Sequence, residues 1–375
     1  MLRRQGKRLG FCLSEKKRKK LNVLVFVELC RKKGIEVVQI DLTKSIEDQG
    51  PFDMIIHKLS GLMVEADRDD LRSQQLLQKF QDYVDSHPRT ILLDPLPAMH
   101  RLSDRFQSYK LIQQLQSLDQ DQHFCNPPYL ELSKGSPSEI LHLIRQQKFS
   151  FPFICKTRIA QGSSSHNMAL IFSEDGLRDI SLPCVIQSFI NHNAVLYKVF
   201  VVGHSHFVVK RPSLKNFSIG KSDRQTIFFN SHEVSKPESC SHLTERDEWG
   251  EQSSGPSDGI IQSISRCLQV SLGLSLFGVD VIINSKTGKL AIIDINAFPG
   301  YEDVPEFFEA LLDHVETLLR EQDGEGNSDA GNSGDGQQVP RLRCQIPLDT
   351  PRRDLAPRSR ARETWVAEGG TVAQR

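Results

Sequence analysis

Two very apolar segments joined by a short turn constrain this chain more than anything else in it. Leu276–Ile283 and Leu290–Ile295 read as strands, and Asn284-Ser285-Lys286-Thr287-Gly288 between them supplies turn residues. Each strand carries one carboxylate, Asp280 and Asp294, and Asn296 follows two residues on. Strand side chains alternate faces, so Asp294 and Asn296 point the same way, and folding about the turn brings Asp280 roughly opposite Asp294. Three oxygen donors then converge on one face. This hard set suits Mg²⁺, with water and phosphate oxygens filling its remaining positions. A solvated sheet face with scattered acids is the plain alternative. The apolar neighbours argue against it, because an unpaired buried carboxylate is costly.

The rest of the chain is organised around that hairpin. Residues 1–118 alternate strand patterns (8–13, 35–42, 53–59, 90–94) with helix patterns (66–87, 101–117), and Leu21, Leu24, Val25 and Leu29 recur at helical spacing. Such alternation predicts an N-terminal α/β domain. Strand-like runs at 151–157, 168–172, 185–189, 195–202 and 206–210 follow, with short helical stretches at 137–148 and 174–180. Helix patterns at 257–272 and 304–320 flank the hairpin. The expectation for 119–320 is therefore α+β lobes around a mostly antiparallel sheet. From 321 to 375 the composition shifts to Gly, Ser, Asp, Gln, Arg and Pro. That segment has too little apolar surface to offset its ordering entropy, and it reads as a disordered tail.

Composition removes several function classes. Lys+Arg and Asp+Glu both number 47 in 375 residues, so there is no basic excess of the kind nucleic-acid binding requires. The eight cysteines are scattered without a C-x-x-C pair, which points to reduced buried thiols rather than a disulfide frame or zinc site. No stretch approaches the ~20 apolar residues of a membrane helix. The basic N-terminus lacks the apolar core of a secretory signal. The expectation is a soluble monomer of the cytoplasm, with the nucleus also compatible, and with neither nucleic acid nor membrane as partner.

Cations gather in a few segments. Lys156 ends the apolar run Phe153-Ile154-Cys155 and precedes Gly162-Ser163-Ser164-Ser165, which suits a point charge on nucleotide phosphates. A lone Lys at a strand end is otherwise an ordinary surface cation. Lys16-Lys17-Arg18-Lys19-Lys20 opens a helix. A solvated basic face accounts for most of that run, while a helix N-terminus attracts phosphate and favours Lys17 as a contact. His166 on its own reads as structural. Gly300 would let the backbone approach a ligand closely.

The strand pair D…D-x-N-x-x-P-G resembles the Mg²⁺ hairpin of ATP-grasp enzymes. Within that superfamily the chain resembles the inositol 1,3,4-trisphosphate 5/6-kinase family, also called inositol-tetrakisphosphate 1-kinases. The resemblance rests on Leu13-Ser14-Glu15-Lys16-Lys17, Ile56-His57-Lys58-Leu59, Leu93-Asp94-Pro95, Gly162-Ser163-Ser164-Ser165-His166, Gln187-Ser188-Phe189-Ile190-Asn191-His192, Arg211-Pro212-Ser213 and Asp294 to Gly300, in that order. It implies an ATP-grasp fold, ATP as co-substrate and two Mg²⁺ ions. It implies ATP contacts at Arg105, Lys156, Gln187, Ser188, Phe189, Ile190, Lys198, Ser213, Ser231 and Ser235. It implies inositol tris- or tetrakisphosphate contacts at Lys17, Lys58, His166, Lys198, Arg211, Asn296 and Gly300. In-line phosphoryl transfer would then depend on Asp280, Asp294, Asn296 and Lys198. Two other readings stay open from the sequence: an ATP-grasp carboxylate–amine ligase, and a nucleotide-binding scaffold without catalysis.

Overall fold

A computed structural model describes residues 6–119, 123–239, 241–245 and 255–328. The chain opens with β1 (Lys7–Cys12), α1 (Glu15–Leu21), α2 (Val23–Lys32), β2 (Ile35–Gln39) and β3 (Met54–His57). It continues with α3 (Ser60–Asp67), α4 (Leu71–Ser86), β4 (Ile91–Leu93), α5 (Leu96–Arg101) and α6 (Arg105–Leu118). The four strands form an all-parallel sheet in the order β2-β1-β3-β4. Phe52, Ile55, Met63, Phe80 and Tyr83 pack into one cluster against this sheet.

Helix phasing in this part departs from the sequence reading. Leu21, Leu24, Val25 and Leu29 do not share a buried face. Asn22 adopts a left-handed φ of 52° and separates α1 from α2. The new phase buries Val23, Phe26 and Cys30 and leaves Leu24 75% exposed. The pattern at 66–87 is likewise two helices, because the Asp70 carboxylate caps Ser73 N–H and starts α4 afresh. Asp104 caps Phe106 and Gln107 in the same way, so α6 begins at Arg105 rather than at 101.

Next come β5 (Phe124–Cys125), β6 (Tyr129–Leu132), α7 (Pro137–Gln146), β7 (Phe153–Thr157), β8 (Asn167–Ile171) and β9 (Cys184–Ser188). Then follow β10 (Val195–Val202), β11 (Ser205–Pro212), β12 (Ile227–Asn230) and α8 (Ser231–Val234). The stretch expected to be helical at 174–180 is a 3₁₀ turn, Asp175–Asp179. The described chain ends with α9 (Asp258–Leu272), β13 (Leu276–Ile283), β14 (Leu290–Ala297) and α10 (Phe307–Ser328). The single antiparallel sheet of the sequence reading is in fact two. One, in the order β12-β8-β7-β9-β6, is antiparallel throughout. The other, β11-β10-β13-β14-β5, is antiparallel except where β5 joins β14 in parallel.

The C-terminal helix corrects the boundary at 321. It runs on to Ser328, because Leu311, Val315 and Leu319 form a buried stripe and Lys7 holds Asp323 at 2.7 Å. The remainder of the proposed tail, 329–375, lies outside the described residues, as do Cys240 and Cys344. Cys12, Cys30, Cys125, Cys155 and Cys184 are free thiols. Among the described residues no helix is long and apolar enough to cross a membrane.

The phase set by Asn22 is open to a paired test. Phe26→Ala removes a fully buried ring and should cost about 3–5 kcal/mol of unfolding free energy in urea melts. Leu24→Ser should stay within about 0.5 kcal/mol, whereas a helix phased on Leu24 would reverse the ranking.

Candidate active site

The hairpin β13–β14 lies in the middle of its sheet and carries the site's acids. Asp280 pairs with Asp294 on one side and with Lys198 of β10 on the other. One row across three strands therefore reads Lys198, Asp280, Asp294. The Lys198 ammonium stands 3.4 Å from both oxygens of Asp280. Burial raises the Asp280 carboxyl above its ordinary value, Lys198 opposes that, and the Asp294 charge adds to it. Asn296 pairs with Gly278, which offers no side chain opposite it. Two carboxylates and one amide oxygen thus share a face.

These groups line one cleft between the two five-stranded sheets. All ten residues expected at a nucleotide, Arg105, Lys156, Gln187, Ser188, Phe189, Ile190, Lys198, Ser213, Ser231 and Ser235, border it. So do His166, Asp280, Asp294 and Asn296. Ile154, Met168, Leu196, Phe229, Ile282 and Ile293 give it apolar walls that the sequence reading did not single out. Their signal was only ordinary strand alternation.

Its buried cations are already tied to internal oxygens. Lys156 is 3% exposed and donates to Tyr109 Oη at 2.8 Å, Gln187 Oε1 at 2.8 Å and the Ile293 carbonyl at 3.0 Å. Burial lowers its pKa to about 8, partly opposed by Asp294. Arg105 is 2% exposed and donates to the carbonyls of Thr157, Ile159 and Ser165. It therefore shapes the 157–166 loop from below. That loop ends in a 3₁₀ turn, Ser163–His166, with His166 Nδ1 3.5 Å from Ser231 Oγ.

His192, unassigned from the sequence, fixes one edge of the cleft. Burial lowers its pKa to about 4, so the ring is neutral near pH 7. Nδ1 faces the Ile190 carbonyl at 2.6 Å and must carry the proton. Nε2 then accepts from the Ser213 hydroxyl at 2.7 Å, leaving the lone pairs of Ser213 as its remaining capacity.

Lys17, Lys58, Arg211 and Gly300 do not line this cleft. They gather instead around the segment that leaves β14. Lys58 donates to the carbonyls of Ala297 at 3.3 Å and Phe298 at 2.8 Å. Lys17 donates to Phe298 O at 3.0 Å and to Pro299 O, with its ammonium 4.4 Å over the Phe298 ring. Arg211 pairs with Asp303, and Lys20 pairs with Glu302. Phe298, Tyr301 and Asp303 all take positive φ, so this segment is an irregular strap rather than a turn. Gly300 itself is not left-handed, and a Cβ there would meet the Glu302 carboxylate at 2.7 Å. The N-terminal amide of Lys17 is accepted by Ser14 Oγ, so Lys17 contributes through its ammonium rather than a free helix N–H.

A buried relay joins the two groups. His57, next to Lys58, is fully buried and donates from Nε2 to the Asp94 carbonyl at 2.6 Å. The Asp94 carboxylate accepts from Ser275 and Leu276 N–H at 2.7 and 2.9 Å, where β13 begins. Both residues stood inside motifs of the sequence reading without a role.

The donor set fits Mg²⁺. No group of three or more His, Cys, Asp or Glu that could hold a metal occurs among the described residues. Asp280, Asp294 and Asn296 are instead two carboxylates and an amide, all hard oxygen donors. That leaves several positions for water and phosphate, as Mg²⁺ prefers.

The architecture is that of the ATP-grasp class. It matches a RimK-domain ATP-grasp protein from Sphaerobacter thermophilus (TM-score 0.50, 12% identity, 84% of this chain and 99% of that one). It also matches a D-alanyl-alanine synthetase A from Vibrio cholerae (TM-score 0.53, 14% identity, 84% and 99%). These likenesses are of fold. The inositol 1,3,4-trisphosphate 5/6-kinase pre-ATP-grasp domain matches residues 8–99, and the ATP-grasp domain of the same kinase matches 118–317. An inositol-tetrakisphosphate 1-kinase from Xenopus laevis is 54% identical over 98% of this chain and 90% of its own length. One from Danio rerio is 57% identical over 85% and 80%. This chain belongs to the inositol 1,3,4-trisphosphate 5/6-kinase family.

Protonation offers a direct check on the strap. Burial, then Lys58 and Lys20, push the Lys17 pKa down to about 6, and burial takes Lys58 to about 8. A bound polyanion favours the ammonium and raises both values. Titration of an inositol phosphate near pH 7, in buffers of different ionisation enthalpy, should therefore register proton uptake on the order of one proton. Lys17→Arg, permanently charged, should reduce it; uptake unchanged in that variant would contradict the assignment.

Proposed function

We infer that this chain transfers the γ-phosphoryl group of ATP to a free hydroxyl of an inositol phosphate. As a member of its family it is an ATP-dependent inositol phosphate kinase. The finer reading is addition at the 5 or 6 hydroxyl of inositol 1,3,4-trisphosphate and at the 1 hydroxyl of inositol 3,4,5,6-tetrakisphosphate. The observation that carries it is the adjacency of an acid row, Asp280–Asp294–Asn296, to two cation sets, one in the cleft and one around residues 297–303. A ligase acting on one carboxylate would have little use for the second set.

Division of labour follows from position. Residues 1–118 contribute Lys17, Lys58 and Arg105, while 119–320 contribute the cleft and the acids. Gln187 to Ile190, at the end of β9, would hold the adenine through backbone groups, between the apolar walls. Lys156 and Lys198 would hold phosphate oxygens, and Arg105 would keep the 157–166 loop in place. Ser213, Ser231 and Ser235 would contact the nucleotide from the opposite wall. Lys17, Lys58, His166, Arg211 and the backbone at Gly300 would orient the ring, with Asn296 and Lys198 at the border of the two ligands.

Asp280 with Asp294, and Asp294 with Asn296, would hold two Mg²⁺ ions. When bound, Mg²⁺ neutralises phosphate charge and fixes the oxygens for in-line transfer. The transition state is loose, so the protein's part is positioning and charge neutralisation rather than strong base catalysis. Lys198 matters twice in this scheme: it offsets the buried Asp280 charge and lies within reach of the transferring group.

Asp294→Asn is expected to keep the wild-type melting temperature and to lose turnover by at least about a thousandfold. Product isomers from an inositol phosphate panel with ATP, separated by chromatography, give the readout. Near-normal turnover in the variant would remove the metal assignment.

A further inference from the structure

We propose that His232 is a second phosphate-binding histidine of the kinase site, acting with His166 on one phosphate group of the inositol phosphate. The inference rests on the function proposed above and adds a residue to it. His232 lies on α8, four residues long, between Ser231 and Val234, and its side chain borders the same cleft as Asp294 and Asn296. Its ring stands edge-on to that of His166, centroids 5.5 Å apart and planes at 72°. The two imidazoles come from different elements, the 163–166 turn and α8, and meet at one point of the cleft wall.

Among the ionisable donors of the cleft these rings are the unspent ones. Lys156, Arg105 and Lys198 are each engaged with internal oxygens, and the His192 ring is engaged through both nitrogens. Neither ring nitrogen of His232 has a hydrogen-bond partner among the described residues, and His166 has only the 3.5 Å approach of Ser231 to Nδ1. An exposed histidine ordinarily satisfies itself with water. Here two such rings lie close enough to donate to a single tetrahedral anion, and each becomes a better cation when that anion is between them.

Charge at this point also argues for the ring phosphate rather than the nucleotide. His232 lies near Glu302, the partner of Lys20 on the strap, as well as beside the His166 ring. It therefore lies on the border between the cleft and the cation set of the strap. A polyphosphorylated ring reaching from Lys17 and Lys58 toward Asn296 would pass it. Ser231 and Ser235 flank it on the nucleotide side and cover the other role.

The test is steady-state kinetics of His232→Ala, His232→Gln, His166→Ala and His166→Ala/His232→Ala with inositol 1,3,4-trisphosphate and ATP. Because His232 is exposed, melting temperatures should match wild type. His232→Ala should raise KM for the inositol phosphate about ten- to a hundredfold, the range for a hydrogen bond to a charged group, with KM for ATP changed less than about twofold. Gln, which keeps an N–H donor, should recover part of the loss. The double variant should lose less than the product of the two single losses, because the two rings serve one phosphate. An unchanged KM for the inositol phosphate, a rise confined to ATP, or strictly multiplicative losses would overturn the proposal. Absence of turnover in the wild-type protein would instead overturn the kinase reading itself.

Discussion

A lysine facing a buried carboxylate across two strands is the interaction on which the rest of this site depends. Asp280 and Asp294 stand side by side on a half-buried face, where burial and the neighbouring Asp294 charge both raise the Asp280 carboxyl above its ordinary value. Lys198, 3.4 Å from Asp280, opposes that rise without closing the face that Asp294 and Asn296 share. The hairpin can therefore hold negative charge in the core of a sheet. A charge held there at a cost is available to a cation.

The same logic operates with the sign reversed elsewhere. Lys156, Lys17 and Lys58 are amino groups in poorly solvated positions, held by carbonyl, hydroxyl and amide oxygens rather than by carboxylates. Neutral acceptors orient an ammonium but leave its charge uncompensated. Each of the three has its pKa pushed downward as a result, with burial the largest cause. Such groups gain most from a ligand carrying several negative charges. Glu302 and Asp303, the solvent-reaching side chains of a largely buried strap, pair with Lys20 and Arg211, where a phosphate-rich ligand can compete with them.

Much of this was legible in the sequence, for identifiable reasons. The hairpin could be read because its strands are long, its turn has a left-handed Gly288, and strand alternation fixes which acids share a face. Its register, Asp280 opposite Asp294, came out as expected. The residues expected at a nucleotide border one cleft although they come from several elements: Lys156, Gln187 and Ser188 from the ends of β7 and β9, Lys198 from mid-β10, Ser213 from just past β11, and Ser231 and Ser235 from α8 and its end. Helix phase failed at Asn22, since a single left-handed residue is invisible to periodicity. The two-residue β5 is too short for any pattern. The helix past 320 was masked by acidic, glycine-rich composition, although Leu319 and the Lys7–Asp323 pair anchor it. His192, His57 and Asp94 act through hydrogen bonds to partners up to 182 residues away, which no local spacing encodes.

The central claim is that the acid row binds the metal that carries the nucleotide. Crystals grown with Mn²⁺, a non-hydrolysable ATP analogue and an inositol phosphate, measured at the manganese absorption edge, test it most directly. The account predicts anomalous peaks within coordination distance of Asp280, Asp294 and Asn296 oxygens. Peaks elsewhere, with those three side chains uncoordinated and the nucleotide bound, would contradict it.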